Sequence, residues 1–185
     1  ISYCATCDGE FFTDKEIIVI GGGNSALEEA VSLTKYASHI TIVHQFDYFQ
    51  AFEYAVEEAK QNAKISFKLS SVISQFKGGD SFEGALIKDV NTGEETFLPA
   101  SGAFIFIGYQ PNTEILKDVV ALNKWGEIVV DRDMKTSLEG VYAAGDAIAK
   151  RYRQITTSVG EATVAALSTA GWLHEQRRKK VSVVS

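Results

Sequence analysis

KEIIVIGGGNSALEEAVSLTKYASHITIVH, residues 15–44, is the stretch on which the fold turns. Lys15–Ile20 is a compact apolar run rich in β-branched residues, and it runs directly into Gly21-Gly22-Gly23-Asn24-Ser25-Ala26. Past the glycines, Ala26, Leu27, Ala30, Val31, Leu33 and Ala37 recur at helical spacing, with Glu28, Glu29, Ser32 and Lys35 between them. Ile40–Val43 is a second β-branched run. Strand, glycine turn, helix, strand is a βαβ unit, whose crossover is expected to be right-handed.

The turn itself reads GxGxxA at Gly21, Gly23 and Ala26. Between a strand and a helix, that pattern suits a dinucleotide. The first glycine permits the tight turn, the second lets a pyrophosphate approach the backbone, and the small third residue lets helix and strand pack closely. The helix start adds amide donors and a favourable dipole. A glycine-rich turn with no ligand is the alternative. The end of the second strand should set the dinucleotide preference, through an acid for a ribose 2′-hydroxyl or arginines for a 2′-phosphate. His44-Gln45-Phe46-Asp47-Tyr48-Phe49-Gln50 offers no arginine, and no acid directly after the strand.

Downstream, Phe52–Gln61 reads as another amphipathic helix. Alternation then takes over at Ile65–Leu69, Val72–Phe76, Ala85–Val90 and Glu95–Leu98, with turns at Gly78-Gly79-Asp80 and Asn91-Thr92-Gly93. The expectation is an antiparallel meander, closed by a hydrophobic strand at Ala103–Ile107. Beyond Gly108 the texture changes. A turn and helix start is expected at Thr113–Leu116, strands at Glu127–Val130 and Val141–Ala144, and a small-residue helix from Ile155 to Leu173. The domain boundary falls near Gly108, giving units at 1–107 and 108–185. Trp125 and Trp172 read as core or interface aromatics.

Upstream lies Cys4-Ala5-Thr6-Cys7, followed by Asp8, and these are the only two cysteines of the chain. A structural zinc site wants four protein ligands, and one CxxC with His39, His44 and His174 would supply them only by long-range coincidence. The spacing fits a small reducible disulfide ring doing redox work. Asp8 is close enough in sequence to shuttle a proton to or from a departing thiolate, or it simply caps a turn. Gly145-Asp146, at the end of an expected buried strand, has a similar double reading. Its carboxylate could accept sugar hydroxyls, with the following helix start facing a flavin or phosphate, or it could cap the helix.

The 185 residues are 45% hydrophobic, with a formal net charge of -6. That balance argues against nucleic-acid and membrane-surface roles. No apolar stretch approaches the roughly 20 residues of a membrane span. The expectation is a cytosolic protein, with the basic run Arg177-Arg178-Lys179-Lys180 as a solvated tail after the last helix.

The order of these features carries a resemblance. Tyr3-Cys4-Ala5-Thr6-Cys7-Asp8-Gly9, GGGNSALEEA at 21–30, FIGYQPNT at 106–113, GVYAAGD at 140–146 and RQITTSVGEA at 153–162 resemble the low-molecular-weight thioredoxin reductases. The resemblance implies an α/β protein. A Rossmann-like nicotinamide-dinucleotide domain, with parallel sheet and antiparallel meander, would be followed by the C-terminal portion of an FAD-binding domain. The family's first FAD lobe has no counterpart here. Also implied are a homodimer, FAD, a nicotinamide cofactor, and thioredoxin or a thioredoxin-like protein as partner.

Carried over residue by residue, Cys7 would meet the flavin, Cys4 would attack the partner's disulfide, and Asp8 would be the general acid. Cofactor contacts would fall at Gly21, Gly22, Gly23, Asn24, Ser25, Ala26, His44, Gln45 and Gly108. Gly145, Asp146, Arg153, Gln154 and Ile155 would form the second FAD contact region. One departure stands out. Where the family has three arginines for the 2′-phosphate of NADPH, this chain has Gln45, Phe46 and Gln50. Charge-assisted bonds of roughly 1.5–3 kcal/mol each would be lost, which favours NADH or a different donor over NADPH. Two rivals remain: the reductase partner of a peroxidase, and a non-catalytic nucleotide-binding or redox-sensing module.

Overall fold

In the computed structural model, residues 1–182 are described, the side chains through residue 179. Strand β1 (Glu16–Ile20) alternates its contacts: Ile17 and Val19 enter one core, and Ile18 enters another. Such a strand, apolar on both faces, belongs in the middle layer of a domain. It pairs in parallel with β2 (His39–Val43) and with β7 (Gly102–Ile105), and β2 pairs in parallel with β3 (Ile65–Lys68). The sheet order is therefore β3-β2-β1-β7. Helices α2 (Asn24–Leu33) and α3 (Glu53–Gln61) cover one face, burying Ala26, Leu27, Ala30, Leu33, Ala55 and Ala59 against Ile17, Val19, Ile40 and Ile42. The other face meets an antiparallel sheet, β4 (Ser71–Gly78), β5 (Phe82–Asp89) and β6 (Glu95–Pro99), through Ile18, Val43, Ala85, Ile87 and Ala103.

The α/β class with a Rossmann-like parallel sheet is as expected, with one strand reassigned. Ile65–Leu69 is not part of the meander: β3 lies parallel to β2, in register Ile40 to Ile65. Helix α3 is the crossover that returns the chain to the same side, which makes parallel pairing the natural outcome. The meander proper has three strands.

The chain divides into two compact units, Ile1–Gly108 and the segment from Tyr109 onward. The second unit is mostly irregular. Neither Glu127–Val130 nor Val141–Ala144 forms a strand. Only isolated bridges occur there, Ile128 to Leu122 and Ile148, and Tyr142 to Lys135. A lone bridge fixes two residues without the repeated ladder that defines a sheet. A small core of Val120, Ile128 and Ile148 holds the segment, with Leu116, Leu122, Val130 and Met134 against it. Glu114–Leu116 is one 3-10 turn, so the expected helix there stops as it starts. Helix α4 (Ile155–Ser182) outruns its expected end at Leu173. Arg177, Arg178, Lys179 and Lys180 are thus helical rather than a tail, because these residues are good helix formers with no breaker among them. Arg177–Lys179 are exposed, as a charged run prefers.

Trp125 is neither core nor shielded. It is 65% exposed, with the Lys124 ammonium 4.2 Å from its ring centroid. Trp172 is half-buried beneath Gly140 and donates its indole N–H to Glu139 at 3.2 Å.

Candidate functional site

The cysteine pair closes a disulfide at the start of the one-turn helix α1 (Ala5–Asp8). Cys4 is the N-cap, and the Cys7 amide donates to its sulfur at 3.1 Å. Ala5 is buried in the helix-side core, so the turn is anchored from beneath while Cys7 stays exposed and Cys4 half-buried. Asp8 ends the turn, and its Oδ2 accepts from the Ser2 hydroxyl at 2.6 Å. The structure therefore brings Cys4, Cys7 and Asp8 into one cluster. It adds Ser2, which sequence reasoning missed.

The glycine turn follows β1. Gly21 has φ of 137°, and a Cβ there would lie 2.3 Å from the Phe106 carbonyl oxygen and 3.0 Å from Ala26 Cβ. Tight turn and close helix–strand packing are thus both visible. Gly22 lies against the His44 ring, whose atoms would sit 2.4 Å from an added Cβ. Gly23 differs: a Cβ there meets nothing within 4 Å. As N-cap of α2, Gly23 has no side chain to satisfy the first amides of the helix. Asn24 is otherwise engaged, its Oδ1 accepting from Phe52 N–H at 2.7 Å. Ser25 is exposed and Ala26 buried.

His44 is 4% exposed, and its Nε2 is buried with no hydrogen-bond partner among the described residues. Burial holds its pKa below the usual imidazole value, against a smaller opposing effect from a hydrogen bond with the Tyr48 backbone. The ring stacks on Phe49 and meets Phe46 edge-on. Gln45 is exposed just after the strand. Gln50 returns to the glycine turn, its N–H donating to Gly22 O at 2.8 Å. Asp47 and the helix acid Glu53 are the ionised groups nearest in sequence, and no Lys or Arg lies between His44 and Val56.

The remaining candidates are Gly108, the last residue of the first unit, and a group in the second unit. Gly145, with φ of 84°, opens a short 3-10 turn rather than ending a strand. Its N–H donates to Glu161 Oε2 at 3.0 Å. The Asp146 carboxylate is largely exposed, yet its Oδ1 is held by the Ser158 hydroxyl at 3.1 Å and the Lys150 ammonium at 3.3 Å. Lys150, with a 9% exposed side chain, also pairs with Glu161 at 2.9 Å. Arg153 pairs with Glu127 and stands 5.9 Å from the Tyr109 ring centroid. Gln154, Ile155 and Gly108 are exposed. Lys150, Glu161 and Glu127 carry this network without having been legible in sequence. Asp146 and Lys150 do share an i,i+4 spacing, but the turn geometry makes the pairing. Among the described residues no group of three His, Cys, Asp or Glu side chains could hold a metal ion. Nor is any described helix long and apolar enough to cross a membrane.

A redox disulfide mounted on a parallel-sheet unit with an open glycine turn is the arrangement of a dinucleotide-linked disulfide oxidoreductase. The chain belongs to the pyridine nucleotide-disulphide oxidoreductase family, whose profile matches residues 1–162. It is 47% identical over 167 residues to the 34.2 kDa protein in rubredoxin operon of Clostridium pasteurianum, covering 90% of this chain and 54% of that one. It is 42% identical over 177 residues to the thioredoxin reductase of Mycolicibacterium smegmatis, covering 95% and 57%. The crystal structure of thioredoxin reductase from Streptococcus pyogenes superposes with a TM-score of 0.89 at 39% identity, covering 94% of this chain and 57% of that chain. The chain thus spans about half the length of the curated relatives it matches.

Proposed function

We propose that this chain is the dithiol-bearing part of a thioredoxin reductase-type flavoprotein. Electrons would run from a nicotinamide cofactor through FAD to Cys4 and Cys7, and on to a disulfide of thioredoxin or a thioredoxin-like protein. The observation that carries the proposal is the accessible Cys4–Cys7 disulfide with Asp8 in the same turn, on the unit that also bears the open Gly23. Residues 1–107 are read as the nicotinamide-dinucleotide domain. Residues 108–185 are read as the returning part of an FAD-binding domain. A homodimer in the cytoplasm belongs to the same reading, supported by the resemblance and by a dithiol of the kind that cycles in reducing compartments.

The residues suit both cofactors. A pyrophosphate fits where Gly23 leaves room and the first amides of α2 lack a side-chain cap. The Asp146 carboxylate, fixed by Ser158 and Lys150, is an acceptor suited to sugar or ribityl hydroxyls, with Gly108, Gly145, Arg153, Gln154 and Ile155 around the same reading. When bound, FAD would supply the relay between hydride transfer and two-electron disulfide chemistry. The chain's own part is thiol–disulfide exchange: Cys4 attacks the partner's disulfide, Asp8 moves a proton to the departing thiolate, and Cys7 closes the ring. Gln45, Phe46 and Gln50 favour NADH, or a donor acting directly on the flavin, over NADPH.

The test is reduction of thioredoxin by the flavin-loaded full-length protein, with NADH and NADPH compared. Cys4→Ser and Cys7→Ser should each abolish turnover. Survival of disulfide reduction in either variant would overturn the dithiol assignment.

A further inference from the structure

Ser2 joins the dithiol turn to the sheet. Its backbone bridges to β7, with Ser2 N–H donating to Ala103 O at 2.8 Å and Ile105 N–H donating to Ser2 O at 2.9 Å. Its hydroxyl is 4% exposed as part of the residue, and it faces two groups of the dithiol turn at once. It accepts from Cys4 N–H at 3.1 Å and donates to Asp8 Oδ2 at 2.6 Å. The Cys4 carbonyl, at 3.3 Å, is the poorer acceptor for the same proton. A serine hydroxyl has one proton to give, and here the carboxylate takes it at the shorter distance.

We infer that Ser2 is a positioning residue for proton transfer at the dithiol, setting which oxygen of Asp8 carries the proton. With Oδ2 engaged as an acceptor by the Ser2 hydroxyl, the transferable proton of the carboxylic acid sits on Oδ1. The hydroxyl is held in turn by the sheet, so the acid keeps its orientation relative to Cys4. The inference rests on the reading of Asp8 as proton donor to a departing thiolate.

The step balances without any flavin. A cysteine thiolate of the reduced pair attacks one sulfur of an external disulfide. That S–S bond breaks, a mixed disulfide forms, and the departing thiolate takes the proton from Asp8 Oδ1. The second cysteine then gives its proton to the Asp8 carboxylate, and its sulfur attacks the mixed disulfide. The external thiolate leaves and is protonated by water. The dithiol is oxidised to the Cys4–Cys7 disulfide, the external disulfide is reduced to two thiols, and Asp8 ends as it began.

The experiment uses the reduced 185-residue chain and hydroxyethyl disulfide, with the second-order rate measured between pH 5 and pH 8. Ser2→Ala should slow the reaction up to roughly tenfold, about what one lost hydrogen bond is worth. Ser2→Thr, which keeps the hydroxyl, should restore most of the rate. Asp8→Ala should slow it at least as much, and adding Ser2→Ala to Asp8→Ala should cost nothing further. A full additional loss in the double variant, or an unmodified rate in Ser2→Ala beside a slow Asp8→Ala, would overturn the positioning role alone. An unaffected Asp8→Ala would instead sink the proton-donor reading beneath it. Should Ser2→Ala not fold, NMR of the unmodified chain decides: the Ser2 hydroxyl proton should be protected from exchange and should lose that protection in Asp8→Ala. Its absence in the unmodified chain refutes the inference.

Discussion

The three glycines after β1 make separable predictions, because each has a different reason to lack a side chain. Alanine at Gly21 would adopt φ of 137° and place its Cβ 2.3 Å from the Phe106 carbonyl. Neither can be relieved by a side-chain rotation, so strain of about 1–3 kcal/mol adds to the steric cost. Alanine at Gly22 keeps an allowed backbone but drives into the His44 ring at 2.4 Å. That ring is buried between Gly22 and Phe49 and has little room to retreat. Overpacking of this kind costs roughly 1–3 kcal/mol. Alanine at Gly23 meets nothing within 4 Å, at φ -90° and ψ 179°, a conformation any residue adopts. Its effect on stability should stay within about 0.5 kcal/mol.

Binding should run the other way. If the space over Gly23 is where a pyrophosphate sits, the new methyl holds it off the first amides of α2. Losing two charge-assisted bonds costs about 3 kcal/mol, which is roughly a hundredfold in affinity. Thermal unfolding by circular dichroism and NADH titration by calorimetry measure the two effects on the same samples. The expected pattern is loss of stability in Gly21→Ala and Gly22→Ala, with an unchanged melting temperature and about a hundredfold weaker NADH binding in Gly23→Ala. If Gly23→Ala binds NADH like the unmodified chain, the turn is a packed strand–helix junction and the dinucleotide reading fails.

Three further outcomes follow from the same side chains. Replacing Gln45, Phe46 and Gln50 together by arginine should move the NADPH-to-NADH affinity ratio upward by at least tenfold, checked by parallel titrations; an unchanged ratio would mean that the 2′-phosphate does not lie beside this segment. His44 has a folded pKa below its unfolded value, so the unfolded chain binds the extra proton first, and stability present above about pH 6.5 falls as pH drops below it. Urea midpoints at pH 7.5 and 5.5 should show that loss in the unmodified chain and a smaller one in His44→Phe. Lys150→Met should leave Glu161 and Asp146 without their shared cation and destabilise the second unit by about 1–3 kcal/mol, read as a lower melting temperature.

Legibility in the sequence followed the range over which the deciding interactions act. The parallel sheet was readable because Ile17, Ile18 and Val19 are apolar on both faces, and because Gly21 and Ala26 must be small within one local turn. The misplaced strand shows the limit. Ile65–Lys68 alternates like any half-buried strand, and nothing in four residues says whether its neighbour runs parallel or antiparallel. That is decided by α3, which returns the chain to the same side and leaves Ile65 buried in the helix-side core. The second unit fails for a related reason. Glu127–Val130 and Val141–Ala144 have strand composition, but strand propensity reports fitness for a pleated surface and does not create one. With only single bridges available to Ile128 and Tyr142, both segments stay irregular.

The candidate site divides along the same line, and the division bears on function. Cys4, Cys7 and Asp8 are contiguous, so spacing alone could propose a dithiol with a nearby acid. What spacing could not propose is the support: Ser2 reaches Asp8 only because β7, a hundred residues on, fixes the Ser2 backbone. Asp146 was likewise visible beside Gly145, while Lys150 and Ser158 meet it only through a 3-10 turn and a helix start. In both places the residue that would touch substrate or cofactor stands in a recognisable motif, and the residues that aim it reach it only through the fold. On the proposed role, a carboxylate tied to the sheet through one oxygen would be a directed proton donor. The same carboxylate unsupported would be only a charge next in sequence to the disulfide. On the proposed role of Asp8, the dithiol's chemistry would depend on the fold through Ser2 as well as on the CxxC spacing.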